Sequence, residues 1–413
     1  MLQRWNSFRK VVSIYDITII LMLSGYFLSA LTPYFLNTNS INYIERIVVL
    51  SLSGYIIFKN KYVKQTYIFY ILLLFFILYF LNLCVDFFKY HIVYDKPIYH
   101  YFGYLIFISV IPALSIFFIP KEKINWKFIL WGTWFSLGIF NVVNILFTDY
   151  SNISYRISGI TSFWPIIYAQ VGVSFSILSV FLYEYLKGKW DIICIVSFYM
   201  GLFSCIITGS KGPLFFFFVL LFLYIILFGI PRVFKNVYFI ISSILFILFL
   251  FFNSDFSIYH RIYDFLFTNN DASKQQRMEI LKYTIDSIKE HFWQGSNMFI
   301  KTKTLHSTYP HNLFLESIMT MGVIGGILFL FINIKAIYSV FLYLKIKHQE
   351  VWVVFLFLQY FFQTFFSLSL YSSEGYWILL AIILSKKIRN NQKYENLNNI
   401  RGETSVHKSR IYK

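Results

Sequence analysis

Apolar runs of roughly 18 residues or more, the length that crosses a ~30 Å hydrocarbon core as a helix, recur from one end of this chain to the other. That repetition constrains the fold more than any other feature. With 58% of the 413 residues hydrophobic and only 13% charged, no room remains for a large soluble domain. Hydropathy windows of about 19 residues place helices near residues 17–36, 43–58, 67–85, 98–119, 128–147, 162–183, 191–208, 213–230, 237–252, 322–344, 351–369 and 372–385. The expected fold class is an all-α integral membrane protein of about twelve transmembrane helices. Residues 1–385 would form one polytopic membrane domain, and the polar, basic tail over 386–413 is expected to be disordered.

The net charge of +17 suggests a nucleic-acid partner only until it is located. Lys and Arg in short loops favour the cytoplasmic side, and alternate loops carry them: Lys59, Lys61 and Lys64; Lys121, Lys123 and Lys127; Lys187 and Lys189; Arg232 and Lys235; Lys345 and Lys347. The tail adds Lys386, Lys387 and Arg389. Both termini are therefore expected in the cytoplasm, and no nucleic-acid partner is expected. The first apolar run follows Arg4, Arg9 and Lys10 and is too long for a signal-peptide core, with no small-residue cleavage site after it, so it reads as a retained helix. Cys84, Cys194 and Cys205 lie in or beside apolar runs without the close spacing of a zinc site or disulfide framework, and read as buried thiols. No internal repeat is evident.

One connection departs from the short-loop pattern: residues 253–311 form a long polar stretch on the side opposite the basic loops, between the ninth and tenth expected helices. A substrate site would fit there. Within it, "KQQRMEILKYTIDSIKEHFW" spaces Met278, Leu281, Ile285 and Ile288 by three and four, an amphipathic helix lying on the bundle or the membrane surface, which Gly295 then ends.

Arg156, Lys211, Arg277 and His311 share that side of the expected topology. Arg156, in "YRISGITSFWPIIYAQ", either grips phosphate oxygens bidentately or snorkels to headgroups. Lys211 lies in "TGSKGP", a turn opening a helix N-terminus, where it either meets an anion or caps the preceding helix. Arg277 on the amphipathic helix and Arg261 in "YHRIYDF" read individually as solvated charges. His311, in "STYPHNLFLESIMTMGVIGGILFLF", stands where a polar loop becomes a helix, and an imidazole there suits a general base. His306 competes for that role, and a plain interfacial histidine is the alternative.

No Gly-rich phosphate loop followed by Lys and Ser/Thr appears, and no His-Glu-x-x-His pattern or carboxylate pair marks a metal site. Acidic residues look nearly absent from the middle of the apolar runs, which weakens a proton-coupled transporter reading.

These segments resemble the O-antigen ligase and O-antigen polymerase superfamily of bacterial polysaccharide assembly. "PHNLFLESIMTMGVIGG" is similar to its histidine-asparagine start, leucine-rich helix and Gly-x-x-Gly entry into a membrane helix. "TGSKGP" resembles its Ser-Arg-Gly turn, with Lys211 standing where arginine is usual. "RMEILKYTIDSIKEHFWQGS" resembles its arginine, amphipathic helix and glycine, and "RISG" a fourth element, although "SFWP" lacks the polar residues that often follow it. The resemblance covers roughly residues 156–345.

It implies a metal-independent, inverting glycosyltransferase of the bacterial inner membrane, without cofactors, that uses a polyprenyl-diphosphate-linked oligosaccharide as donor. Arg156, Lys211, Arg277 and Arg261 would hold the diphosphate and His311 would be the catalytic base. The acceptor would be a lipid-linked repeat unit, as in a polymerase, or the lipid A core, as in a ligase. The high aromatic content of 22% favours the polymerase. A chain-length regulator is a conceivable partner. A lipid-linked oligosaccharide flippase is the reading from a different class, and it would more naturally line the bundle interior with charge.

Overall fold

The structure is a computed structural model, and it describes residues 12–38, 40–90, 98–150, 157–160, 165–186, 190–252, 272–300, 309–346 and 350–385. These fold as helices, named here in chain order: α1 (Ile14–Ser29), α2 (Ser40–Lys59), α3 (Tyr67–Phe88), α4 (His100–Phe118), α5 (Trp126–Phe147), α6 (Pro165–Tyr185) and α7 (Asp191–Ile207). They continue as α8 (Lys211–Phe228), α9 (Val237–Phe252), α10 (Ala272–Glu290), α11 (Leu313–Ile346), α12 (Val351–Gln363) and α13 (Glu374–Leu384). Seven of them are long and apolar enough to cross a membrane, namely α2 to α6, α8 and α11, while α1, α7, α9, α12 and α13 are shorter apolar helices. The chain is thus a multi-pass helical membrane protein. Large side chains such as Tyr43, Ile47, Phe215, Phe222 and Ile226 stay exposed on its flanks, as a surface meeting hydrocarbon requires.

Polar contacts define the two ends of the bundle. At one end Asp16 closes a capping box with Ser13 and also accepts from the Asn125 backbone N–H at 2.7 Å. The Tyr15 hydroxyl meets Asn60, and Lys121 Nζ donates to Ser385 Oγ at 2.6 Å. Arg232 donates to the Tyr183 and Leu186 carbonyls, closing the last turn of α6. The basic connections near Lys59, Lys121 and Arg232 therefore gather at one end, as the alternation of charge anticipates.

α6 sits at the centre, with the residues from Tyr168 to Tyr183 buried along its length. Small polar residues let helices approach it: Ser176 Oγ donates to the Phe198 carbonyl of α7 at 2.9 Å, and Ser174 Oγ to Gln359 Oε1 of α12 at 3.0 Å. Such bonds hold apolar helices together where hydrophobicity alone gives no preference for protein over lipid.

α11 is not one rod. Gly322 (φ 66°, ψ −168°) interrupts it, so the membrane helix begins just past residue 322, as hydropathy indicates. The preceding stretch from Leu313 is a separate half-helix. This break is where the connection between α9 and α11 docks.

Candidate functional site

The site is assembled at the end of the bundle opposite the basic loops, on the half-helix that opens α11. Asn312 caps it, its Oδ1 accepting from the Phe314 and Leu315 N–H groups at 3.0 and 3.1 Å, which satisfies donors a helix start leaves open. The Leu313 N–H donates to the Thr364 carbonyl at 2.8 Å, pinning this start to the end of α12. His311 immediately precedes the cap and is held at φ 56°, in the left-handed region that only a few per cent of non-glycine residues adopt. Its ring lies 4.3 Å from the Tyr309 ring, centroid to centroid. The direction of the imidazole is set by a sharp turn between buried Pro310 and a capped helix.

Arg277, on α10, is brought within electrostatic reach of that ring. Burial, with the positive charge of Arg277 adding to it, pushes the His311 imidazole down to about 4. At neutral pH it is therefore uncharged and has a lone pair to offer. Arg277 itself is exposed.

α10 is positioned by a joint of two glycines. Gly295, after the end of α10, has φ 78°, and a Cβ there would stand 2.1 Å from the Thr320 carbonyl oxygen. A Cβ on Gly322 would stand 2.3 Å from the Trp293 carbonyl oxygen. Only residues without a side chain permit both the backbone angles and the contact. Across this joint Ser296 N donates to the Met319 carbonyl at 2.6 Å and Val323 N to the Phe292 carbonyl at 2.8 Å. Helix α3 secures it from beneath: Asn82 Nδ2 donates to the Thr320 and Ser296 carbonyls, and Asp86 Oδ2 accepts from Met298 N at 2.6 Å.

The docked face of α10 differs from the apolar stripe read from spacing. Ile280 and Thr284 are buried, Ile280 packing with Met319 and Ile300, and Ile288 of the expected stripe packs partly buried against them, whereas Met278 is 60% and Ile285 39% exposed. Thr284 can face inward because its hydroxyl returns to the Ile280 carbonyl at 2.8 Å. Met278 and Ile285 lie on an outward face, and Phe292 and Trp293 just past the helix end are exposed as well, a set suited to a membrane interface.

Lys211 is the first residue of α8, with Ser210 at the N-cap position. The ring of Phe216 stacks on Phe362 at 5.5 Å and meets Phe366 at 5.6 Å, while Phe365 stacks on Phe314 of the half-helix at 4.9 Å. These contacts place Lys211 at the same end of the bundle as His311. Arg156, Arg261 and His306 lie outside the described residues.

Acidic residues do occur near helix ends, outside the middle of the apolar runs, and Glu316 is the most consequential for this site. It is fully buried. Its carboxylate accepts from Ser369 Oγ at 2.8 Å, from the Leu370 N–H at 3.1 Å to each oxygen, and from the Tyr79 hydroxyl at 3.3 Å. It thereby ties the half-helix to the α12–α13 connection and to α3. One acid in an otherwise apolar stretch, five residues after His311, was the signal available in the sequence.

Residues 195–330 match the family model described as O-antigen ligase. The O-antigen ligase match spans Lys211, Arg261, Arg277 and His311 and leaves out Arg156. It is consistent with the O-antigen ligase and polymerase superfamily that the motifs resemble, whose members are membrane glycosyltransferase-like enzymes acting on lipid-linked oligosaccharides. No curated protein gives a significant match to the chain.

Proposed function

We propose that the chain is a polysaccharide polymerase of the bacterial inner membrane. It transfers glycan from a polyprenyl-diphosphate carrier to a hydroxyl of a second lipid-linked repeat unit. The observation that carries this reading is a half-buried, uncharged His311 within electrostatic reach of the guanidinium of Arg277. His311 takes the proton of the acceptor hydroxyl as that oxygen attacks the anomeric carbon. The carbon–oxygen bond to the diphosphate breaks, with inversion, and Arg277, Lys211, Arg156 and Arg261 balance the charge of the departing diphosphate. The two roles are coupled. A diphosphate bound by Arg277 offsets the positive charge that opposes protonation of His311, so donor binding strengthens the base.

An apolar crevice between α6, α8 and α12, lined by Ile177, Val180, Phe181, Phe217, Leu220 and Tyr224 among others, suits the polyprenyl tail. Phe217 follows Lys211 by six residues, about 9 Å along a helix at 1.5 Å per residue, so a tail there leaves its diphosphate near the α8 N-terminus. The basic end of the bundle is the cytoplasmic one in this reading, and labelling of single cysteines placed at Lys64 and Trp293 from opposite sides of the membrane tests it.

The ligase reading is favoured by the description of the matched family and differs only in acceptor. The surface polysaccharide of a deletion strain separates the two. Loss of long chains with one repeat unit still attached to core means polymerase, whereas polymer retained on the lipid carrier with no attachment means ligase. Unchanged polysaccharide refutes both.

A further inference from the structure

A second group of ionisable side chains lies within the bundle, apart from His311. Arg46 of α2 is sandwiched between two tyrosine rings, its guanidinium carbon 5.0 Å from the centroid of Tyr26 and 4.7 Å from that of Tyr104. Its Nη2 donates to the Tyr104 hydroxyl at 2.7 Å, while its Nε is buried without a hydrogen-bond partner. The carboxyl groups of Glu45 and Glu374 lie within electrostatic reach of one another, and Arg46 within reach of both. Among the described residues, no ion pair or hydrogen bond joins Arg46 to either carboxylate, and no hydrogen bond reaches either carboxylate.

Glu45, Arg46 and Glu374 are each half-buried, and charged groups left without a direct ion pair at this level are costly unless a polar partner meets them. The helices on two sides of the cluster are distorted at this level, α1 by a π-helical stretch over Leu21–Gly25 that leads into Tyr26, and α4 by one over Tyr104–Val110. Such stretches concentrate at functional positions. The Glu45 carboxylate lies over the first of them, with Oε1 2.9 Å from where a Cβ on Gly25 would stand.

This cluster is joined to the transfer site by tyrosines. Tyr104 lies 6.4 Å and Tyr101 5.3 Å from the ring of Tyr371, centroid to centroid. Tyr371 follows Leu370, whose N–H binds Glu316, and it lies within electrostatic reach of Tyr309, the neighbour of His311. The strip runs along the end of the bundle that carries His311, since α2 and α13 both begin there.

We propose that Glu45, Arg46 and Glu374, walled by Tyr26 and Tyr104, form a carbohydrate subsite that holds the acceptor glycan while its terminal hydroxyl reaches His311. This rests on the glycosyltransferase reading and names the part of the site that reading leaves open. Carboxylates accept from vicinal hydroxyls, the free guanidinium N–H donates to ring or hydroxyl oxygens, and tyrosine faces stack against the C–H surface of a sugar. Hydroxyl-accepting carboxyl groups beside a guanidinium suit a neutral or amino sugar, whereas the diphosphate belongs with Arg277 and Lys211 in the transfer site of this reading.

The test uses the full-length protein in detergent and, as probe, the oligosaccharide released by mild acid from the lipid-linked repeat unit of cells carrying the gene. Saturation-transfer NMR on the wild-type protein should show binding that millimolar inorganic pyrophosphate does not displace. Glu374→Gln and Arg46→Met should weaken it at least tenfold, and Tyr104→Phe, which removes only one hydroxyl, roughly threefold or more. Absence of binding, displacement by pyrophosphate, or equal affinity in Tyr104→Phe and in every folded Glu374 or Arg46 variant overturns the subsite. Transfer between lipid-linked repeat units by the reconstituted wild type is measured in parallel. If transfer occurs without these binding effects, only the subsite falls, and if it never occurs the glycosyltransferase reading falls with it.

Discussion

Replacing Gly322 by alanine tests whether the loop that carries Arg277 is positioned by the broken helix. The substitution forces a side chain onto φ 66° and places its Cβ 2.3 Å from the Trp293 carbonyl oxygen and 2.9 Å from Gly295 N. That backbone conformation, a positive φ with an extended ψ, costs a side chain about 1–3 kcal/mol, and overpacking against backbone adds about 1–3 kcal/mol. Neither obstacle is the end of a flexible side chain. Relief comes by pulling the end of α10 off the half-helix, breaking the bonds of Ser296 N to Met319 O and Val323 N to Phe292 O. Hydrogen exchange of residues 292–298 should then accelerate by about thirtyfold to a thousandfold, on the order of 2–4 kcal/mol. Arg277 loses its placement against His311, and a shift of about 1 Å can cost 10²-fold in rate. Gly295→Ala should act alike and the double variant should be far from additive, since both break one joint. Gly54→Ala, with nothing within 4 Å of the new methyl, is the control and should leave exchange and transfer unchanged. A Gly322→Ala protein with normal transfer and normal protection over 292–298 would refute the idea that this joint positions the site.

His311→Asn should lower kcat by about 10² to 10⁴ in a reconstituted transfer assay without loss of thermal stability, because asparagine tolerates the left-handed angle that alanine would strain. The imidazole that burial pushes to about 4 is active when deprotonated. The rate kcat/KM should therefore be full at neutral pH and fall only as pH drops through about 4, and Arg277→Gln should move that fall to higher pH. A limb fixed near pH 6.5 in both proteins would contradict this. Glu316→Leu leaves the buried Leu370 N–H and Ser369 hydroxyl without their acceptor, which should cost about 2–5 kcal/mol, lower the melting temperature and slow transfer. Glu316→Gln should recover much of both losses.

Much of the architecture was legible because hydrocarbon imposes a single demand, a long apolar helix, on every crossing segment. Gly295 and the entry at Gly322 were legible for a related reason, since a polar-to-apolar change beside glycine marks a terminus. The helix start after His311 was legible, but its break from the membrane helix at Gly322 was not, because the half-helix meets the α12–α13 connection rather than lipid and no hydropathy window isolates it. The buried face of α10 misled the reading of spacing because Thr284 hides its hydroxyl on the Ile280 carbonyl, while Met278 and Ile285 remain outside. Glu45, Glu316 and Glu374 escaped attention since each is a single acid near a helix end, and only the packing of distant segments shows that two of them face Arg46 and the third binds Leu370. The closeness of His311 to Arg277, 34 residues apart in sequence, was expected from family resemblance and not from spacing.

The tie between α3 and the glycine joint bears on modularity. Tyr79, Asn82 and Asp86 hold Glu316, Thr320, Ser296 and Met298, yet they lie more than a hundred residues before the family-matched segment begins at residue 195. That segment is therefore not a portable cassette. A chimera that exchanges residues 195–330 alone brings the half-helix without the three side chains that receive it. The unit that must travel together is discontinuous, one early helix and one late loop, and during synthesis the early helix waits with its polar groups unmatched until the late loop emerges.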